Sequence, residues 1–164
     1  MRWTLFVILL VLVYLAQTAL LPQFGIRWLD LFLVTALVCG LVAPTPDARL
    51  AAWIVGFVQD LATDGPLGLH ALALGLAVLA LTFVREQVNL QLWWVRWLMA
   101  FIVAYPAEIL VRLVAGTGHG FVASQVLGWP LTTAFVGSFL ASFLLALPSA
   151  FRPRRRRRSA VARW

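Results

Sequence analysis

Polar residues break the chain into six apolar stretches. Thr4 to Leu21 is apolar apart from Gln17 and Thr18, long enough to cross a hydrocarbon core of about 30 Å at about 1.5 Å per residue. A second span runs from about Trp28 to Ala43, and Pro44-Thr-Pro46 stops it, because proline lacks an amide proton and turns its predecessor away from helix. The third runs from near Asp47 to Ala62, with a fully apolar part, Leu50 to Val58, that is short for a crossing. Either it ends in the interface or neighbouring helices shield Gln59 and Asp60. Leu67 to Val84 is the fourth span, preceded by a turn in which Asp64 can cap free amides and Pro66 has none to leave unsatisfied. Leu92 to Ala115 is the fifth, with Pro106 expected to kink it, and Phe121 to Leu147 the sixth, with Pro148 at its close.

This pattern predicts an all-α integral membrane protein, a compact bundle of about six transmembrane helices. Residues 1–151 form one polytopic domain and 152–164 a cytoplasmic polyarginine tail. Composition agrees: 63% hydrophobic and 12% charged residues, with mean hydropathy +0.94, exclude a soluble globular domain, for which about 45–50% and 25% are usual. Six spans of about 20 residues leave no room in 164 residues for a sizeable extramembrane domain. Arg2 and the later Ala-Gln-Thr-Ala resemble a signal peptide, but the reading here is an uncleaved first span. The single cysteine, Cys39, permits no disulfide framework and no Cys/His metal spacing.

All 13 basic residues are arginine, and they set the sidedness. With both termini inside, Arg2, Arg49, Arg85, Arg96 and seven tail arginines lie on the cytoplasmic side, against Arg27 and Arg112 outside. Trp93, Trp94 and Trp97 would then form an inner aromatic belt, with Trp28 and Trp129 in an outer one. Arg152, Arg154, Arg155, Arg156, Arg157 and Arg158 make a basic tail that anionic lipids attract by about 1 kcal/mol per residue. Nucleic acid is not an expected partner, because no folded module accompanies the tail.

The most polar interruption is Gln59-Asp-Leu-Ala-Thr-Asp-Gly-Pro-Leu-Gly-Leu-His70. In a persistent helix Asp60 and Asp64 would lie one turn apart and repel. The simplest reading has the two carboxylates satisfying loop and helix-end amides while His70 bonds a neighbouring helix. A corner that docks a partner or is critical to folding, and a metal or catalytic site, are the alternatives; one His and two Asp form a weak ligand signal. Glu108 and Arg112, four residues apart, share a helix face and read as an intramembrane ion pair, with a transport role or a partner-helix contact as alternatives.

Gly116-Thr-Gly-His-Gly120 lacks the lysine of a phosphate loop and reads as an outer turn. Ser124, Ser138 and Ser142 have no histidine base at their depth except His119, so no catalytic residues are assigned, and no cofactor or metal. Ala134, Gly137, Ser138, Ala141 and Ser142 place small residues four apart on the sixth span. That is a candidate face for a partner helix, and equally a pattern of internal packing.

The run Gly56-Phe-Val-Gln-Asp60, continued by Asp64-Gly-Pro-Leu-Gly-Leu-His70-Ala-Leu-Ala, resembles the rod shape-determining membrane protein family MreD. Chain size, span number and the Leu-Asp30-Leu opening of span two extend the likeness, although Leu29 stands where the family usually has proline. By that resemblance Gln59, Asp60, Asp64, Gly65, Pro66, Gly68 and His70 are family-typical positions. It implies a non-enzymatic scaffold of the bacterial elongation complex in the cytoplasmic (inner) membrane. Such a scaffold binds MreC and acts with MreB, RodA and a class B penicillin-binding protein in lateral peptidoglycan synthesis and cell-shape control. The family is also similar in fold to the substrate-binding subunits of energy-coupling-factor transporters, so a vitamin-type transporter subunit is the alternative.

Overall fold

The computed structural model describes residues 3–25, 29–63, 65–88, 92–115 and 123–151. Asp64, Trp28, the Trp129 side chain, the 116–120 turn with His119, Ser124's side chain and the arginines from Arg152 onward lie outside the described residues. Among those described there are six helices and no strand: α1 (Trp3–Gln23), α2 (Leu31–Val42), α3 (Thr45–Ala62), α4 (Leu69–Gln87), α5 (Trp93–Ala115) and α6 (Ala123–Phe151). Three of them, Trp3–Gln23, Leu69–Gln87 and Trp93–Val114, are long and apolar enough to cross a membrane.

The second expected span is shorter than its apolar run. Asp30 caps α2 at its start and Ala43 leaves the helix at its end, so 12 residues remain, a rise of about 18 Å. This helix is nonetheless the centre of the bundle. It packs against each of the other five helices, and Phe32, Leu33, Val34, Ala36 and Leu37 are buried in succession. The sixth helix passes through both Pro130 and Pro148 to Phe151 instead of ending at Pro148, and α5 stays helical through Pro106.

The closest packing is between α3 and α4. Ala48, Ala51, Ala52, Val55, Gly56, Gln59 and Asp60 are the buried positions of α3, a stripe at the 3.6-residue period. Gly56 lies directly on the backbone of α4: an added Cβ would collide with the Cα of Ala71 and sit 2.6 Å from the carbonyl oxygen of His70. One turn along α4, Gly75 makes room for the Trp53 ring. Small residues four apart, Ala52 with Gly56 and Ala71 with Gly75, let the two backbones approach where no hydrophobic force between helices operates in lipid.

The small-residue face predicted on α6 is turned inward. Ala134, Gly137, Ser138, Ala141 and Ser142 are all buried, and a Cβ on Gly137 would come within 3.3 Å of Leu33 Cδ2. This corrects the expectation of an accessible partner-helix face: the stripe seats α6 on α2. The outward face of the α5–α6 pair is aromatic instead. Trp93 meets Phe139 and Trp97 meets Phe135, edge to face, in an order that makes the two helices antiparallel.

Arg85 closes the end of the bundle where α2 terminates. Its guanidinium donates to the carbonyls of Gly40 (2.7 Å) and Ala43 (2.9 Å) and to Thr45 Oγ1 (3.2 Å). The last carbonyls of a helix have no partner within it, and Arg85 supplies one from α4.

Gly56→Ala should therefore lower the melting temperature of the purified protein sharply. Gly128→Ala, at an exposed position of α6 with nothing within 4 Å of the new Cβ, should leave it unchanged or raise it slightly. Equal effects in thermal unfolding would contradict the close α3–α4 contact.

Candidate functional site

At the end of the bundle opposite Arg85, polar residues of all six helices meet. Helix α3 stops at Ala62 because Thr63 is extended. Leu69 N donates to the carbonyl of Pro66, and Gly68 takes a left-handed φ of +92° at the N-cap of α4, a conformation glycine adopts without steric cost. Helix α4 thus begins at Leu69, and Pro66 lies in the turn before it, not at its first helical position.

A glycine N-cap has no side chain to offer the free amides that follow. Asp60, reaching across from α3, takes that role. Its Oδ2 accepts from the backbone amides of Gly68 (3.0 Å) and Ala71 (3.1 Å), and its Oδ1 accepts from the amide of His70 (2.9 Å). His70 Nδ1 lies 2.9 Å from the same Oδ1, which places the Nδ1 proton on the carboxylate side. Asp60 is 2% exposed. A buried charge with four donors aimed at it, at the positive end of a helix, is compensated. The simplest reading of the corner, carboxylate on amides and histidine on a neighbouring helix, is the arrangement seen for Asp60 and His70.

A second carboxylate continues the network. Asp30 Oδ1 accepts from the amides of Phe32 (2.8 Å) and Leu33 (3.1 Å), capping α2, and its Oδ2 accepts from Gln59 Nε2 at 2.6 Å. Gln17 ties α1 to the same place. Its Nε2 donates to Leu29 O (3.1 Å) and its Oε1 accepts from Leu31 N (3.0 Å). Gln17 sits in a π-helical segment of α1, Ala16–Leu20, a local widening often found at functional sites.

Between these groups and α5 and α6 lies a cavity of about 660 Å³, lined by Gln17, Asp30, Gln59, His70, Glu108, Arg112 and Thr133 among others. Its size suits a small molecule. Glu108 and Arg112 face it together, but Arg112 Nε stands 4.0 Å from Glu108 Oε2, beyond hydrogen-bond reach. The predicted ion pair is a loose one and borders the cavity. Among the described residues no three His, Cys, Asp or Glu side chains are grouped to hold a metal ion.

Of the predicted site residues, Gln59, Asp60, Gly65, Pro66, Gly68 and His70 form one corner, and Glu108 and Arg112 face it across the cavity. The sequence does not mark Gln17 or Thr133 as site residues, whereas Asp30 stands in the Leu-Asp-Leu opening of span two and is one of the few ionisable groups near the outer ends of the spans. Asp30 carried a signal, an acidic residue directly before an apolar run being a helix N-cap signature. Gln17 carried only its polarity within a span.

Replacing Asp60 by alanine strands three amides and a histidine in the interior and should cost about 3–5 kcal/mol. Asp60→Asn, which keeps one acceptor, should cost less. Fluorescence-detected gel filtration after heating a tagged protein measures both. A melting temperature of Asp60→Ala within a degree of the parent would refute the cap.

Neither a protein-family profile, nor a curated protein, nor a solved structure matches the chain.

Proposed function

We propose that this protein is a non-enzymatic scaffold of the bacterial elongation machinery in the cytoplasmic membrane, with both termini in the cytoplasm, binding MreC. Through MreC it would act with MreB, RodA and a class B penicillin-binding protein in cell-shape control. The resemblance to the MreD family supplies the identity of these partners. The single observation that supports a scaffold is the chemistry of the corner on which that resemblance rests. Asp60 and His70, the groups there with most catalytic potential, are engaged with each other and with the amides that start α4. Such a corner positions helices, with the Asp60 carboxylate and His70 Nδ1 both taken up in holding α4 to α3.

With the α6 stripe buried, the docking surface for a partner helix falls on the outward faces. Helix α1 is the most exposed of the three long apolar helices; only Phe6 and Leu10 of Trp3–Leu15 are buried. A single-helix partner in lipid would meet it without disturbing the core.

The cavity favours the second reading, a substrate-binding subunit of a small-molecule transporter. The likeness to energy-coupling-factor subunits itself comes from the family resemblance alone. Affinity purification from native membranes after mild crosslinking separates the two. Recovery of MreC with wall-synthesis proteins is expected; recovery of a transmembrane coupling protein with paired ATPases would replace the scaffold by the transporter.

A further inference from the structure

Gln59 is 6% exposed, and its amide orientation is fixed by its neighbour. A carboxylate can only accept, so the group 2.6 Å from Asp30 Oδ2 must be the Nε2 donor. Flipping the amide would set two oxygens against each other. Gln59 Oε1 is therefore held on the other side, and it has no hydrogen-bond partner among the described residues. Gln59 lines the cavity, and a buried acceptor held without a donor is a demand on whatever fills that space.

The other groups around the cavity define what can meet the demand. Asp30 and Glu108 contribute two acidic side chains and Arg112 one guanidinium, so two acids face the space against one base. If the ring is neutral, the His70 tautomer that donates Nδ1–H to Asp60 leaves Nε2 as a further acceptor. On the opposite side, Arg112 Nε has no hydrogen-bond partner and offers a donor to an oxygen. A water molecule could satisfy Gln59 Oε1 but would bring no positive charge to the two acidic side chains. A group with several N–H donors and a positive charge does both.

We propose that this cavity binds a small molecule through a primary ammonium group, held by Gln59 Oε1 and the Glu108 carboxylate, with an oxygen of the same molecule near Arg112. The volume of about 660 Å³ falls within the range of small-molecule sites. The inference does not depend on which assembly the protein joins. A scaffold could use such a site to sense a ligand, and a transporter subunit could use it to collect one.

The test is isothermal titration of the full-length protein in lipid nanodiscs with ethanolamine, L-alanine and n-butylamine, each against its N-acetylated form. At least one free amine should bind saturably and its acetylated form should not. Glu108→Gln, at a position whose ion pair is loose, should weaken that binding about tenfold or more while leaving the melting temperature near that of the parent. Gln59→Met, which removes the acceptor at similar length, should also weaken it. Preference for L-alanine over n-butylamine would place the oxygen contact at Arg112; the reverse order would remove Arg112 from the site while keeping the ammonium contacts. No saturable binding of any free amine, equal binding of the acetylated forms, or affinity unchanged by both substitutions would overturn the proposal. Because no partner protein is present, failure here is distinct from failure of the copurification.

Discussion

Helix ends inside an apolar bundle cannot rely on water, and every unpaired amide or carbonyl there is costly. Three charged side chains meet that constraint. Asp60 caps α4 from α3, Asp30 caps its own helix α2, and Arg85 of α4 reaches the last carbonyls of α2. Two of the three caps come from a different helix than the one they serve. They tie helix termini into contacts that also fix which helices are neighbours, so the polar groups specify the packing while apolar side chains fill it.

Asp60 is the most consequential of these. Its carboxylate lies one helical turn beyond Gly56, the position at which the α3 and α4 backbones touch. The turn between them must then bring Gly68 to its left-handed conformation within a few residues. Close approach, tight turn and shared cap are one device. Trp53 lying over Gly75 extends it down the pair. The cavity opens where α5 and α6 face this corner without closing on it.

Much of this was legible along the chain. Apolar run lengths and proline positions located six helices, and the polar interruption from Gln59 to His70 marked the corner where Asp60 and His70 meet. Local rules placed the boundaries less well. Asp64 and Pro66 have the residue types of a helix start, yet the amides of α4 are satisfied by Asp60 from another helix, a long-range contact that capping signatures do not encode. The stripe from Ala134 to Ser142 and the pair Ala52 and Gly56 carry the same small-residue spacing. Such spacing shows that backbones approach but does not name the neighbour, and both stripes pack inside the chain. Glu108 and Arg112 looked self-sufficient because i,i+4 spacing suggests a pair. Only the packing of α5 against α4 and α2 puts them on the same cavity as Asp30 and Gln59.

The scaffold reading and the ligand site follow from one division of labour: Asp60 and His70 hold the fold, while Gln59, Glu108 and Arg112 border space that the fold leaves open. That division rests on Asp60 and His70 acting as a unit. A double-mutant thermodynamic cycle of Asp60→Asn and His70→Phe, read from reversible unfolding in detergent, measures it most directly. The account predicts a coupling free energy of about 1 kcal/mol or more. Additive effects, with coupling within about 0.3 kcal/mol of zero, would contradict it.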